Sequence, residues 1–340
     1  MSGEDFASLL KRVAGGETLD AEQSARAFGA IMAGDVSEIR ITALATAMAV
    51  RKPTVDEIVG AARAMRGGMK SIEANPYAID LCGTGGDGIG TLNISTANAF
   101  VVAACGVPVA KNGNRNMSSK SGTADCLEAL GVKIDLSPAG ASQCLREVGL
   151  CFLFAQAYHP ALKYAAPVRK ELGFRTIFNL LGPLSNPARV RRQLVGVYDK
   201  EWCVPLAEAL GKLGTQHAWV VHGDGMDEIA LSAPTHVAVL ENGKVTTRDI
   251  GPEDAGLSWA PLSALIGADA QHNAAALRRL FDGEASAYRD IVLINSAAAL
   301  IVGGKAQDLR EGVRLAAEAI DTGAAKSKLE KLIAVSQATA

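Results

Sequence analysis

The chain has 340 residues, of which 49% are hydrophobic and 21% charged, and its formal net charge is −2. That length holds about two domains with packed cores, and the composition excludes disorder as a whole-chain description. So small a net charge provides no field to draw the whole molecule onto nucleic acid or an acidic membrane, and neither is an expected partner.

The first ten residues carry Glu4 and Asp5 and lack the apolar core of a secretory signal. Residues 6–13, 21–32 and 39–50 then repeat apolar side chains at helical spacing. A fourth helix opens on the capping box Thr54-Val55-Asp56-Glu57, after which Val55, Ile58, Val59, Ala62 and Met65 fall on one face. Breaks at Ala14-Gly15-Gly16 and Gly67-Gly68 end these short helices. Their apolar faces exceed what a few short helices bury among themselves, which predicts a homodimer formed through residues before about Gly67.

From about Tyr77 short apolar runs alternate with helical stretches, the pattern of a mostly parallel sheet with crossover helices. The expected strands are 78–82, 107–110, 151–154, 194–197, 218–221 and 236–240, with a basic helical insert over 160–181 between the third and fourth. Long Ala-rich helices follow at 273–280, 287–302 and 308–320. The uncharged run 88–110 has the length of a membrane span, but Asn93, Ser95, Thr96, Asn98 and Pro108 interrupt it, so it reads as a buried helix and strand. The six cysteines never form a C-x-x-C pair and read as buried thiols in a reducing, cytoplasmic compartment. The expected fold is α/β: a small all-helical domain packed against a larger domain with a central, mostly parallel sheet.

Three segments at strand ends carry the polar chemistry. In 80–96 a strand runs into a glycine-dense loop and a helix opens near Ser95, which suits a phosphate held by backbone amides and equally suits a tight structural turn. Asp87 within it needs a metal or a sugar hydroxyl between itself and any phosphate. After the second strand, 111–125 packs three cations, four hydroxyl residues and three Asn together, an array for a polyanion. The third, His222-Gly223-Asp224-Gly225-Met226-Asp227-Glu228, reads as a solvated loop or as oxygen ligands for Mg2+; no His/Cys spacing suggests zinc. On the insert, Arg169 is either an exposed helix charge or a planar fork for a carboxylate.

Together Cys82-Gly83-Thr84-Gly85-Gly86-Asp87, Asn93-Ile94-Ser95-Thr96, Lys111-x-Gly113-Asn114-Arg115, the run from Arg175 to Pro187, and Asp224-Gly225-Met226-Asp227-Glu228 resemble the anthranilate phosphoribosyltransferase family, in order and over nearly the whole chain. The resemblance implies the nucleoside phosphorylase type II fold: a helical domain (1–72, joined by the insert 160–184), an α/β domain (73–159 and 185–340), an active site at the hinge and a homodimer. It implies transfer of the phosphoribosyl group of phosphoribosyl pyrophosphate (PRPP) to the amine of anthranilate, on the route to tryptophan. Residue by residue, it assigns PRPP to Gly83, Gly86, Asp87, Thr91, Asn93, Ile94, Ser95, Thr96, Lys111, Asn112, Gly113, Asn114, Arg115, Asn116, Met117, Ser118, Ser119 and Thr123. It assigns anthranilate to Gly83, Asn114 and Arg169 with His159 nearby, and Mg2+ to Ser95, Asp227 and Glu228. Asp87, Lys111 and Arg169 become the catalytic candidates.

Three relatives of the same fold compete with this reading: a paralogue with another aromatic acceptor, a nucleoside phosphorylase and a non-catalytic nucleic-acid-binding paralogue. The Asn-Arg after the second strand and the run from Arg175 to Pro187 speak against the phosphorylase, and the net charge with the acidic pair speaks against nucleic-acid binding. One position departs from the family pattern: the residue after Lys111 is usually His and here is Asn112.

Overall fold

The computed structural model describes residues 3–115 and 121–339. Four helices open the chain: α1 (Gly3–Ala14), α2 (Ala21–Ala33), α3 (Glu38–Arg51) and α4 (Val55–Gly67). The capping box at Thr54 and Glu57 is formed on both sides, and Ile58, Val59, Ala62 and Met65 are buried. Glu57 does more than cap. Its buried carboxylate accepts from the Leu19 N–H at 2.9 Å and the Thr54 N–H at 2.8 Å and pairs with Arg51, so it ties α2's approach, α3 and α4 together.

The α/β region follows as β1 (Ile79–Gly83), α5 (Ile94–Ala104), β2 (Val109–Gly113), α6 (Thr123–Leu130), α7 (Pro138–Val148) and β3 (Leu150–Phe154). The insert is α8 (Ala155–Tyr158), a 3-10 turn at Pro160–Tyr164, α9 (Ala166–Leu172) and α10 (Ile177–Leu181). Then come β4 (Arg192–Gly196), α11 (Cys203–Lys212), β5 (His217–Gly223), β6 (Thr235–Glu241) and β7 (Lys244–Ile250). The chain ends in α12 (Ala270–Phe281), α13 (Ala287–Val302), α14 (Leu309–Asp321) and α15 (Ala324–Ala338).

The seven strands lie in the order β3-β2-β1-β4-β5-β6-β7, parallel from β3 to β5 and antiparallel at β6 and β7. Side chains alternate between two cores, as a strand's period of two requires. Leu194, Trp219, Val221 and Val237 join α5 and the C-terminal helices, whereas Val195, Ala218, Val220 and Ala238 join α11, the insert and the four N-terminal helices. One apolar core therefore runs from the helical bundle through Val168, Ile177 and Phe178 of the insert onto one face of the sheet.

Several expectations change. The insert is not one helical run: Gly173 takes a left-handed conformation (φ 64°) and splits it. Lys111, Asn112 and Gly113 do not follow the second strand but lie inside it, because parallel pairing with Phe152, Leu153 and Phe154 continues to Gly113. Cys82 and Cys105 are half-buried rather than buried; all six thiols are free. β7 and helices α6, α7, α11 and α15 have no counterpart in the sequence reading. No helix among the described residues is long and apolar enough to cross a membrane.

Gly60 marks where α2 and α4 touch: a Cβ there would lie 2.3 Å from the Ala21 carbonyl and 2.6 Å from Ser24 Cβ. Helix propensity alone makes Gly→Ala stabilising by roughly 1 kcal/mol, but overpacking costs about 1–3 kcal/mol. We expect Gly60→Ala to lower the unfolding free energy in urea; a gain would mean that the two helices separate freely.

Candidate active site

Strand order reverses between β1 and β4, and in open α/β sheets ligands bind beyond the carboxyl ends of strands at such a switch point. Here the two strands end on register partners, Gly83 and Gly196. A Cβ on Gly83 would meet Asp227 Oδ2 at 2.1 Å, and one on Gly196 would meet the Asp227 carbonyl oxygen at 1.6 Å. Two missing side chains thus make the notch that Asp227 fills.

The glycine loop wraps this carboxylate. Gly85 and Gly86 take left-handed φ values of 64° and 76°, open to glycine at no steric cost, and the Gly85 N–H donates to Asp227 Oδ2 at 2.8 Å. The loop is braced from the C-terminal half: the Leu92 N–H donates to the Leu265 carbonyl, and the Gly267 N–H to that of Gly90. Asn273 Nδ2 donates to Asn93 Oδ1 at 2.9 Å, and the Tyr288 hydroxyl donates to the Asn93 carbonyl at 3.1 Å. Asn93 caps α5 without a side-chain bond; the Ile94 N–H turns back to the Leu92 carbonyl at 2.8 Å, and the Ser95 backbone bonds to the Glu228 carboxylate.

A cavity of about 920 Å³ opens above these elements. It brings together Gly83, Gly86, Asp87, Thr91, Asn93, Ile94, Ser95, Lys111, Asn112, Gly113, Asn114, Arg115, Thr123, Arg169, Asp227 and Glu228. Arg169, on the insert, faces the same space as the glycine loop rather than lying away from it. Thr96 and His159 stand apart from this wall, 1% and 2% exposed. Asn116, Met117, Ser118 and Ser119 lie outside the described residues. Arg175, Lys170 and Phe174 also line the cavity, and none has a role in the sequence reading. Arg175 donates to the Gly86 carbonyl and stacks 4.2 Å from the Tyr198 ring centroid, joining the insert to the donor-type loop. Its place in the run ending at Pro187 was the one available signal.

The charges are held under tension. Lys111 is 3% exposed, its ammonium donating to the Leu81 carbonyl and to Ser95 Oγ at 3.1 Å; burial pulls its pKa down, against the charge of Asp80. Asp227 and Glu228 sit deep in protein while keeping an edge on the cavity. Burial, then repulsion from Asp87, pushes Asp227 up to about 6; burial, then repulsion from Asp227, pushes Glu228 well above its usual range. Arg169 is a half-buried guanidinium whose pKa burial lowers, with no carboxylate paired to it among the described residues. No three His, Cys, Asp or Glu side chains among the described residues converge to enclose a metal ion. Two carboxylates beside an anion cavity nevertheless suit Mg2+, which binds through one or two carboxylates and completes its shell with substrate phosphate oxygens and water.

The far side of β1 and β2 is polar and is covered by the loop after α10. Asn112 Nδ2 donates to the Gly182 carbonyl at 3.2 Å, Gln193 Nε2 to that of Pro183 at 2.7 Å, and Asn186 Nδ2 to that of Ala110 at 2.8 Å. Three amides thus fasten the 182–186 loop to the sheet. Asn112, the position that breaks the family pattern, is committed to this task through its donor, while its Oδ1 is buried with no hydrogen-bond partner among the described residues.

Residues 75–326 match the glycosyl transferase family's a/b domain and residues 7–67 its helical bundle domain. The anthranilate phosphoribosyltransferase of Rhodopseudomonas palustris (strain HaA2) is 55% identical over 335 residues, 98% of this chain and 99% of that protein. The crystal structure of the enzyme of that name from Thermus thermophilus superposes with a TM-score of 0.93 at 42% identity, covering 97% of this chain and 99% of that one. The Saccharomyces cerevisiae enzyme in complex with PRPP and Mg superposes with a TM-score of 0.90 at 26% identity, covering 99% of each chain. Its complex with 4-fluoroanthranilate gives 0.89 at 26%, again with 99% of each chain.

His159 supplies a pH signature. Neither ring nitrogen reaches a well-formed hydrogen bond among the described residues, and burial pushes its pKa down from 6.5 to about 4, a weak bond to the Ser185 backbone offsetting only part of the shift. Between those values the unfolded chain binds a proton that the folded one refuses, so the contribution of His159 is full above pH 6.5 and is lost as pH drops to about 4, by roughly 3 kcal/mol in all, while Asp227, raised to about 6, contributes in the opposite direction. The difference in unfolding free energy between wild type and His159→Gln in urea should therefore change across that window; parallel profiles would place the charged imidazole in the folded protein.

Proposed function

The chain belongs to the anthranilate phosphoribosyltransferases of the glycosyl transferase family, and on that premise we propose how its cavity divides the reaction. The enzyme transfers the phosphoribosyl group of PRPP to the amine of anthranilate and releases pyrophosphate, with Mg2+ as cofactor. The observation that carries the assignment of roles is one cavity faced by a glycine loop at a switch point, a buried lysine, an acidic pair and a guanidinium with no carboxylate paired to it among the described residues.

Donor binding falls to Gly83, Gly86, Asp87, Thr91 and Asn93 to Ser95, with Lys111 to Arg115 and Thr123 opposite; Thr96 acts from behind the wall, and the family resemblance extends the donor set to Asn116, Met117, Ser118 and Ser119. Asp227, Glu228 and Ser95 would hold Mg2+, which when bound would supply positive charge against the departing pyrophosphate. Lys111 adds to that neutralisation from a buried position, where a charge acts more strongly than in water. Asp87 faces the positive charge that develops at C1. The amine of anthranilate is unprotonated at neutral pH, so orientation rather than a strong base is what the acceptor needs. Arg169 provides it by pairing with the carboxylate, Asn114 and Gly83 complete the acceptor side, and His159 acts from behind the wall.

The family resemblance divides the chain into 1–72 with 160–184 and 73–159 with 185–340 and sets a hinge between them, across which the core of the bundle, the insert and one face of the sheet is continuous; closure would exclude water that otherwise hydrolyses the donor. Ile39 and Val50 of α3, 81% and 82% exposed, lie three helical turns apart and so on one face. They support a homodimer through the helical domain. Six free thiols and a phosphorylated donor suit the cytoplasm.

A charge-assisted pair is worth roughly 1.5–3 kcal/mol, or about ten- to a hundredfold. Arg169→Ala should raise the KM for anthranilate by that factor and leave the KM for PRPP within about twofold; equal effects on both would move Arg169 out of the acceptor site. For the dimer, Ile39→Glu with Val50→Glu should convert a dimeric wild type to a monomer in light scattering at about micromolar concentration, and a wild type already monomeric there would dismiss the interface.

A further inference from the structure

Between Asp227 and Thr235 the chain runs under the cavity with neither helix nor strand, yet Ile229, Ala230 and Leu231 are wholly buried. Buried backbone amides and carbonyls need partners, and here side chains supply them. Asn295, in the middle of α13, accepts from the Ile229 N–H at 2.9 Å and donates to the Ile229 carbonyl at 2.9 Å. Its second N–H bonds to the Ile291 carbonyl at 2.9 Å, and Thr235 Oγ1 accepts from the Ala230 N–H at 2.9 Å. A primary amide offers a donor and an acceptor side by side, as a neighbouring strand would, so Asn295 serves as a strand one residue long.

The place it grips matters. Ile229 directly follows Glu228, and on the other side of the pair Gly223 and Met226 close a turn through reciprocal backbone bonds of 3.2 and 2.9 Å. The two repelling carboxylates, Asp227 bonded to the Gly85 N–H and Glu228 to the Ser95 backbone, are therefore carried on a segment fixed by a locked turn before it and by one amide after it. Asn295 is itself 0% exposed and touches no part of the cavity. We propose that Asn295 is a positioning residue for the cation site: by fixing the peptide at Ile229 it sets the direction of Asp227 and Glu228, and with it the affinity for a hard divalent cation bound with a diphosphate. This rests on the reading that the acidic pair holds Mg2+.

The test compares Asn295→Leu, Asn295→Gln, the Asp227→Ala, Glu228→Ala double variant and Gly60→Ala, a destabilised control remote from the site. Mn2+ binding in the presence of inorganic pyrophosphate is followed by electron paramagnetic resonance, and half-saturating Mg2+ and the KM for anthranilate by kinetics. Losing an outer partner of a metal site typically weakens the metal about tenfold or more. Asn295→Leu should weaken Mn2+ binding and raise half-saturating Mg2+ by about tenfold, with the anthranilate KM within about twofold; Asn295→Gln, whose amide is displaced by one methylene, should shift both in the same direction and serves if the leucine variant does not fold. Wild-type Mn2+ binding in a folded Asn295 variant, or an equal loss in Gly60→Ala, would overturn the proposal while the double variant still loses the ion. Retention of Mn2+ by the double variant would instead overturn the underlying assignment, and the proposal with it.

Discussion

Everything at the switch point depends on a volume the size of two methyl groups. Gly83 and Gly196 end adjacent strands, and the space their missing side chains leave is occupied by the backbone and carboxylate of Asp227. An alanine at either position would push the acidic segment outward, away from the glycine loop whose Gly85 N–H it accepts. Because Gly83 is also the hinge between β1 and that loop, one constraint sets both where an anion can approach and where opposite charge can be supplied.

The protein holds these charges at a cost that its cores must offset. Lys111, Asp80, Asp227 and Glu228 are all taken out of water, and burial is the largest influence on each, driving every one towards its neutral form. A structure built for stability alone would replace such groups with apolar ones. Arg169 completes the pattern from the other wall, since burial lowers its pKa too and no carboxylate among the described residues pairs with its guanidinium. The rigid parts surround the site: the sheet below, α12 and α13 gripping Asn93 and Ile229, and three amides pinning the loop after α10.

Much of the architecture was legible because it follows local rules. The Thr54–Glu57 capping box and the spacing from Ile58 to Met65 encode α4 directly, and the alternation of apolar runs with helices encodes the parallel sheet. β7 escaped because five of its seven residues are exposed and show no apolar alternation, although Asn242 and Gly243, both left-handed, form the kind of turn that announces a hairpin. Glycine content pointed to the loop but could not reveal that Gly196, over a hundred residues on, frames the same carboxylate. Arg169 by spacing alone was an ordinary helix charge; packing of the insert on the helical bundle turns it to the cavity. Asn295 had no signal at all, a polar residue following an apolar run in the middle of α13, since its partner is a backbone peptide far away in sequence.

If the donor loops and the acidic pair form a single electrostatic unit, then binding energy should appear only when the anion and the cation arrive together. Thermal unfolding of the full chain with PRPP, with Mg2+, with both and with anthranilate alone measures this directly. The combination should raise Tm well beyond the sum of the separate shifts, and anthranilate alone should leave it nearly unchanged. A full shift from PRPP without Mg2+, unchanged when Mg2+ is added, would contradict the unit on which the rest of the site depends.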